Sequence, residues 1–137
     1  MSGSLRAIAE VMTSTTHLFA ALCLTAGIAA CGSSATDIGD VTVDGTSYHI
    51  AREGAEPAAG VSTQMVIKPN DGSKPDMVAG WVGLATDSAM AVPAVYDPND
   101  GDFDDDITVQ SPMPAGSMFF FTVTKTGVAA TGMIEFK

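Results

Sequence analysis

The chain has 137 residues, 6 Lys plus Arg against 16 Asp plus Glu for a formal net charge of -10, and 7% aromatic residues. At roughly 100 to 150 residues per domain it holds one small domain, which excludes a two-domain enzyme, a dinucleotide-binding unit with its own substrate domain, and an eight-fold α/β barrel. Nucleic acid is also excluded as a partner, because phosphate binding needs clustered Lys and Arg to release counterions and this acidic chain has no such cluster.

The first element is Leu18 to Ala30, LFAALCLTAGIAA, an uncharged and mostly apolar run of 13 residues that ends at Cys31. A bilayer-crossing helix needs about 20 apolar residues, whereas the core of a signal peptide needs about 7 to 15 followed by small residues at the cut. The run therefore predicts a signal peptide over residues 1–30, although Arg6 ahead of it is offset by Glu10. The residues Ile28-Ala29-Ala30-Cys31 resemble the lipobox of bacterial lipoproteins, an aliphatic residue and two small ones before an acylated cysteine. The resemblance implies cleavage after Ala30 and a lipid on Cys31. Several acyl chains, at about 0.8 kcal/mol per buried CH2, anchor a domain without a transmembrane helix. Cys23 leaves with the signal peptide, so the mature domain carries one modified cysteine and no disulfide, despite an oxidising address. Residues 31–38, opening Cys31-Gly32-Ser33-Ser34, read as a tether, and residues 39–137 as the folded domain. Gly32 after the lipobox cysteine, by resemblance to Gram-negative sorting patterns, implies the outer membrane.

From there the sequence breaks into short β-favouring pieces punctuated by Gly, Pro, Asn and Asp, and helices should be scarce. Val41-Thr42-Val43, Asp44-Gly45 and Ser47 to Ala51 predict a hairpin, since Asp-Gly supplies the positive φ of a tight turn. Glu53 to Gly60 is a loop in which Glu56-Pro57-Ala58-Ala59 suits a single helical turn. Val61 to Ile67 alternates apolar and polar residues and stops at Lys68-Pro69-Asn70-Asp71-Gly72. Met77 to Ala85, MVAGWVGLA, predicts a central strand covered on both sides, with Gly80 and Gly83 leaving room beside Trp81 for neighbouring groups to lie over the backbone. Met90 to Tyr96, Phe103 to Gln110, Ser117 to Thr124 and Val128 to Phe136 complete about eight strands. In Phe119-Phe120-Phe121 the outer rings share one face and Phe120 takes the other, so both faces need cover. An all-β, immunoglobulin-like two-sheet sandwich is the expected fold, with a partly closed β-barrel as the alternative.

The succession from Met77 onward is a Trp-bearing strand, Met90-x-x-Pro93, Asp100-Gly101-Asp102-Phe103, and Pro112-Met113-Pro114-Ala115-Gly116 before an aromatic strand. It resembles the periplasmic FixH/YtkA-like domains, small immunoglobulin-type sandwiches. The His and Met residues through which some of those domains are thought to meet copper have no counterpart here, so no binding residue carries over.

The strongest candidate site is Asp97 to Asp106, with six carboxylates and Asn99 within ten residues. Calcium takes six to eight oxygen ligands, and Asp97, Asn99, Asp100, Asp102 and Asp104 are the residues that would supply them. The spacing departs from an EF-hand, which wants Asp or Asn at the fifth place and Gly at the sixth, where this chain has Gly101 and Asp102. The plainer expectation is a solvated turn with Asp102, Asp104 and Asp106 outward and Phe103, Ile107 and Val109 inward. Asp105 then falls inward and needs a partner, a bulge or a place at the sandwich mouth. A copper role would draw on Met65, Met77, Met90, Met113, Met118, Met133 and His49, although Met is also an ordinary core filler. Catalysis is not expected. His49 is the only conventional base in the mature part, there is no Gly-x-Ser-x-Gly elbow, and an acidic loop without an aromatic cleft is a poor glycosidase site. The expected role is that of a lipid-anchored envelope module, binding or structural, with the membrane and an envelope protein as partners.

Overall fold

The computed structural model describes residues 34–136, which belong to one compact unit. The expected signal peptide, lipobox and Cys31 lie outside the described residues.

Strands β1 (Thr36–Val43) and β2 (Thr46–Glu53) form the first hairpin, turned by Asp44 and Gly45 at φ of 48° and 76°. Two consecutive positive φ values match the right-handed twist of the flanking strands, which is why Asp-Gly marks such turns. The strand opens at Thr36, ahead of the expected boundary at residue 39, so Thr36 to Ile38 belong to β1. Then follow β3 (Ser62–Pro69) and β4 (Met77–Gly83). The loop before β3 closes through Val61 N–H donating to the Ala58 carbonyl at 2.9 Å and contains no helical turn at Glu56 to Ala59, contrary to expectation.

The one helix among the described residues is a 3-10 helix at Ala85–Met90, where the sequence predicts strand ends. Its physical reason is Asp87, whose Oδ2 accepts the Leu84 N–H at 2.8 Å and turns the chain off β4. The strand expected over Met90 to Tyr96 divides into β5 (Val92–Pro93) and β6 (Val95–Asp97), in different sheets. Pro93 has no N–H for a ladder and so belongs at an edge, where β5 lies. Strands β7 (Asp102–Thr108), β8 (Met118–Lys125) and β9 (Val128–Ile134) complete the chain.

All pairings are antiparallel, in sheets ordered β1-β2-β3-β7-β6 and β5-β4-β8-β9. The segments β2-β3-β7-β6 and β5-β4-β8-β9 have the ABED and C′CFG order of immunoglobulin domains, with β1 added beyond the first edge. The sheets are not closed into a barrel. Between them lie Tyr48, Ile50, Met65, Ile67, Phe119 and Phe121, all inaccessible to solvent and spaced two apart along their strands. Phe119 and Phe121 stack at 5.8 Å, and Phe120, on the opposite face, stacks on Trp81 at 5.2 Å and 10°. The indole N–H donates to the Leu84 carbonyl at 2.9 Å, so Trp81 is covered on the outer face as the sequence requires.

Candidate functional site

The acidic segment forms the β6–β7 hairpin, with Asp97 opposite Asp102 and Gly101 at φ 72°. Asp97 Oδ1 accepts from both the Asn99 N–H at 2.7 Å and Asn99 Nδ2 at 3.0 Å, an Asx turn that occupies two of the proposed ligands with each other. Gly101 N–H then donates to the Asp97 carbonyl at 2.8 Å. Asp100 is exposed at the tip.

Along β7 the alternation is as expected. Phe103, Asp105 and Ile107 are buried, while Asp102 and Asp104 are half-buried and Asp106 is exposed on the outer face. Burial holds the Asp102 carboxyl above its usual range, Asp100 and Asp97 add to this, and Lys68 opposes it. Asp104 is raised by burial and then by Asp102, Glu53, Asp97 and Asp106. The outer face of this sheet is thus an acidic field in which carboxylates repel one another. Asp97, Asp100, Asp102 and Asp104 share that field, but among the described residues no three His, Cys, Asp or Glu side chains are placed to hold one metal ion. Such a surface attracts cations diffusely and repels anions.

Asp105 is the exception in the segment. It is fully buried, and neither carboxylate oxygen has a hydrogen-bond partner of good geometry. Burial pushes its pKa up to about 7, opposed by the nearby Gly80 backbone and reinforced by Asp106. Its space comes from Gly80 on the facing sheet: a Cβ there would collide with Asp105 Oδ2 and come within 2.8 Å of Phe119. Gly83 serves Asp87 similarly, with Asp87 Oδ2 only 2.6 Å from where a Cβ would stand. The same oxygen also accepts from Gln110 Nε2 at 3.1 Å.

His49 lies on β2 beside β1, with Nδ1 3.1 Å from Asp40 Oδ1 and Nε2 3.7 Å from Asp37 Oδ1. Among the described residues no serine or cysteine side chain hydrogen-bonds to it. The methionines are scattered. Met65 is in the core, Met113 packs at its margin, and Met77, Met90 and Met133 are exposed at the start of β4, the end of the 3-10 helix and on β9. Met118 stands opposite Gly83 at the start of β8. The surface of the described residues contains no pocket. Reading the sequence for chemistry-bearing side chains misses the surroundings of Asp105, because the room for its carboxyl comes from Gly80 on the other sheet.

No protein-family model, curated protein or solved structure matches the chain.

Proposed function

We propose that this chain is a lipid-anchored module of the bacterial cell envelope, acylated on Cys31, with a non-catalytic binding or structural role. In a Gram-negative cell the outer membrane is its favoured location. The observation that carries this reading is the succession of a 13-residue apolar run, Ile28-Ala29-Ala30-Cys31 and a short polar tether before β1 opens at Thr36. The acidic sandwich is then held within a few residues of the anchor, displayed at the membrane surface.

The test is expression of the full chain in a bacterial host with labelled palmitate, beside Cys31→Ala. The wild type should take up label, lose residues 1–30 and sediment with membranes; the variant should remain unlabelled and uncut. Equal membrane association of an unlabelled wild type and the variant would sink the reading.

A further inference from the structure

The two outer faces of the sandwich differ in charge. On the β1-β2-β3-β7-β6 sheet the acidic field of Asp97, Asp102, Asp104 and Asp106 is joined at the β1 edge by Asp37 and Asp40, which stand on either side of the His49 ring. On the β5-β4-β8-β9 sheet every outward position of the three long strands is uncharged: alternate residues from Met77 to Gly83, from Met118 to Thr124 and from Ala129 to Met133. Met77 and Met133 are 48% and 59% exposed there, and Leu84 and Met90, at the two ends of the 3-10 helix after β4, are exposed beside them. Acids at the margin of this face are engaged by the main chain: Asp76 Oδ2 accepts the Thr126 N–H at 2.6 Å, and Asp87 Oδ2 accepts that of Leu84. Glu135 is exposed at its rim.

The chain enters the fold beside this face. Strand β1 runs along β9 in the opposite direction: a Cβ on Gly132 would stand 2.6 Å from Val43, and one on Gly39 would stand 3.3 Å from Ile134. Thr36 therefore lies next to the end of β9 that carries Met133. Cys31 is five residues before Thr36, and at about 3.5 Å per residue a fully extended chain of that length covers about 17 Å. Facing sheets are about 10 Å apart, so an acylated Cys31 keeps the domain within about its own thickness of the bilayer.

We propose that the uncharged outer face of the β5-β4-β8-β9 sheet rests on the phospholipid surface to which Cys31 is anchored, with Met77 and Met133 at the acyl boundary and the acidic sheet turned to the aqueous side. Apolar side chains leave water in this arrangement. The reverse arrangement would strip the carboxylates of the opposite face of water and set them beside phosphate groups of like sign. Methionine suits a fluid partner, because its unbranched thioether adapts to irregular surroundings. The hydroxyls of Thr122 and Thr131 bond to each other at 3.1 Å, which lowers the cost of drawing them out of water. A second copy is disfavoured as the occupant, since chains of net charge -10 repel one another while the tether holds the bilayer always within reach. The orientation rests on the acylation of Cys31 proposed above and adds to it which side of the domain meets the lipid.

Trp81, the only tryptophan of the chain, is a native probe of that orientation, because it lies one side-chain layer beneath this face and a whole sheet away from the other. The full chain, expressed with labelled palmitate and purified from membranes, is placed in phosphatidylcholine vesicles in which part of the lipid carries a nitroxide on its headgroup. Trp81 fluorescence should fall by at least half. Thr131→Glu with Met133→Glu, both at exposed positions, should reduce that quenching at least threefold while palmitate label and sedimentation with vesicles stay unchanged. Met77→Glu with Ala129→Glu, also exposed, should do the same if the first pair melts early. Thr42→Glu with Thr108→Glu adds equal charge at exposed positions of the other sheet and should leave the quenching as it is. A labelled wild type quenched no more than the Thr131→Glu, Met133→Glu protein would overturn the orientation and leave anchoring intact, and equal losses from both faces would reduce the effect to general repulsion and overturn it too. An unlabelled chain that stays off the vesicles would overturn orientation and anchoring together. A concentration-dependent dimer in detergent that Thr131→Glu with Met133→Glu dissolves would give the face to a second copy and overturn the proposal.

Discussion

A carboxyl group sealed between two sheets, with no well-aligned hydrogen-bond partner for either oxygen, gives Asp105 a strong hold on how stability depends on pH. Its folded pKa of about 7 lies above the value near 3.9 of an exposed Asp, so between these values the folded state holds a proton that the unfolded chain has released. Stability from this group is full below about pH 4, falls as the pH rises, and is lost once the pH has passed about 7. The three-unit span corresponds to about 4 kcal/mol. Asp105→Asn keeps a neutral group of the same shape at every pH. It is expected to melt like the wild type at pH 4 and several degrees higher at pH 8, with a flatter profile of melting temperature against pH. Equal slopes for the two proteins would show that Asp105 does not govern the profile. Position 105 was legible as inward from the period of Phe103, Ile107 and Val109, but its surroundings were not. The accommodating residue, Gly80, is 25 positions away in sequence and on the other sheet.

At the scale of elements, the strands with steady alternation or strong turn residues were the ones readable in advance. β2, β3, β7 and β8 fall within a residue or two of their expected ends, and Asp44-Gly45 forms the expected hairpin. What failed was the stretch from Ala85 to Tyr96. Its division into a 3-10 helix and two strands depends on the reach of Asp87 to the Leu84 N–H and on sheets that Val92 and Val95 do not reveal locally. Strand β4 shows why its composition is so rich in glycine. Gly80 and Gly83 are cavities for the acids Asp105 and Asp87, and the strand between them is buried on both faces. Gly80→Ala should therefore destabilise by about 2 kcal/mol through overpacking against Asp105 and Phe119. Adding Asp105→Ala should return part of that loss, and a double-mutant cycle by urea unfolding with a coupling below about 0.5 kcal/mol would disprove the direct contact.

For the whole molecule the acidic outer face sets the response to solutes. The candidate ligands were legible as a cluster, because six carboxylates in ten residues need no fold to be noticed. Their failure to converge was not, since the Asx turn at Asp97 and the outward rotation of Asp102 and Asp104 belong to the hairpin geometry. Repulsion in that field predicts that added salt raises the melting temperature, and that Asp104→Asn stabilises by a few tenths of a kcal/mol at low salt, as befits half-exposed charges. Millimolar Ca2+ should do no more than Mg2+ at equal concentration; a rise of several degrees specific to Ca2+ would reveal a site that the hairpin closes around the ion.

The strand beyond the ABED edge has a mechanical meaning. The remaining eight strands have a complete immunoglobulin order without β1, and β1 is hydrogen-bonded along one side only. It is also where tension from the N-terminal side enters the fold. A load applied there peels β1 from β2 one bond pair at a time toward the Asp44-Gly45 turn, whereas the eight strands behind it must come apart together. The first strand acts as a reserve of slack, releasing eight residues, on the order of 25 Å of extended chain, before the sandwich yields. Force spectroscopy pulling through the N-terminus should record that short extension at low force ahead of the main rupture, and a single rupture without it would show that β1 and the sandwich fail as one.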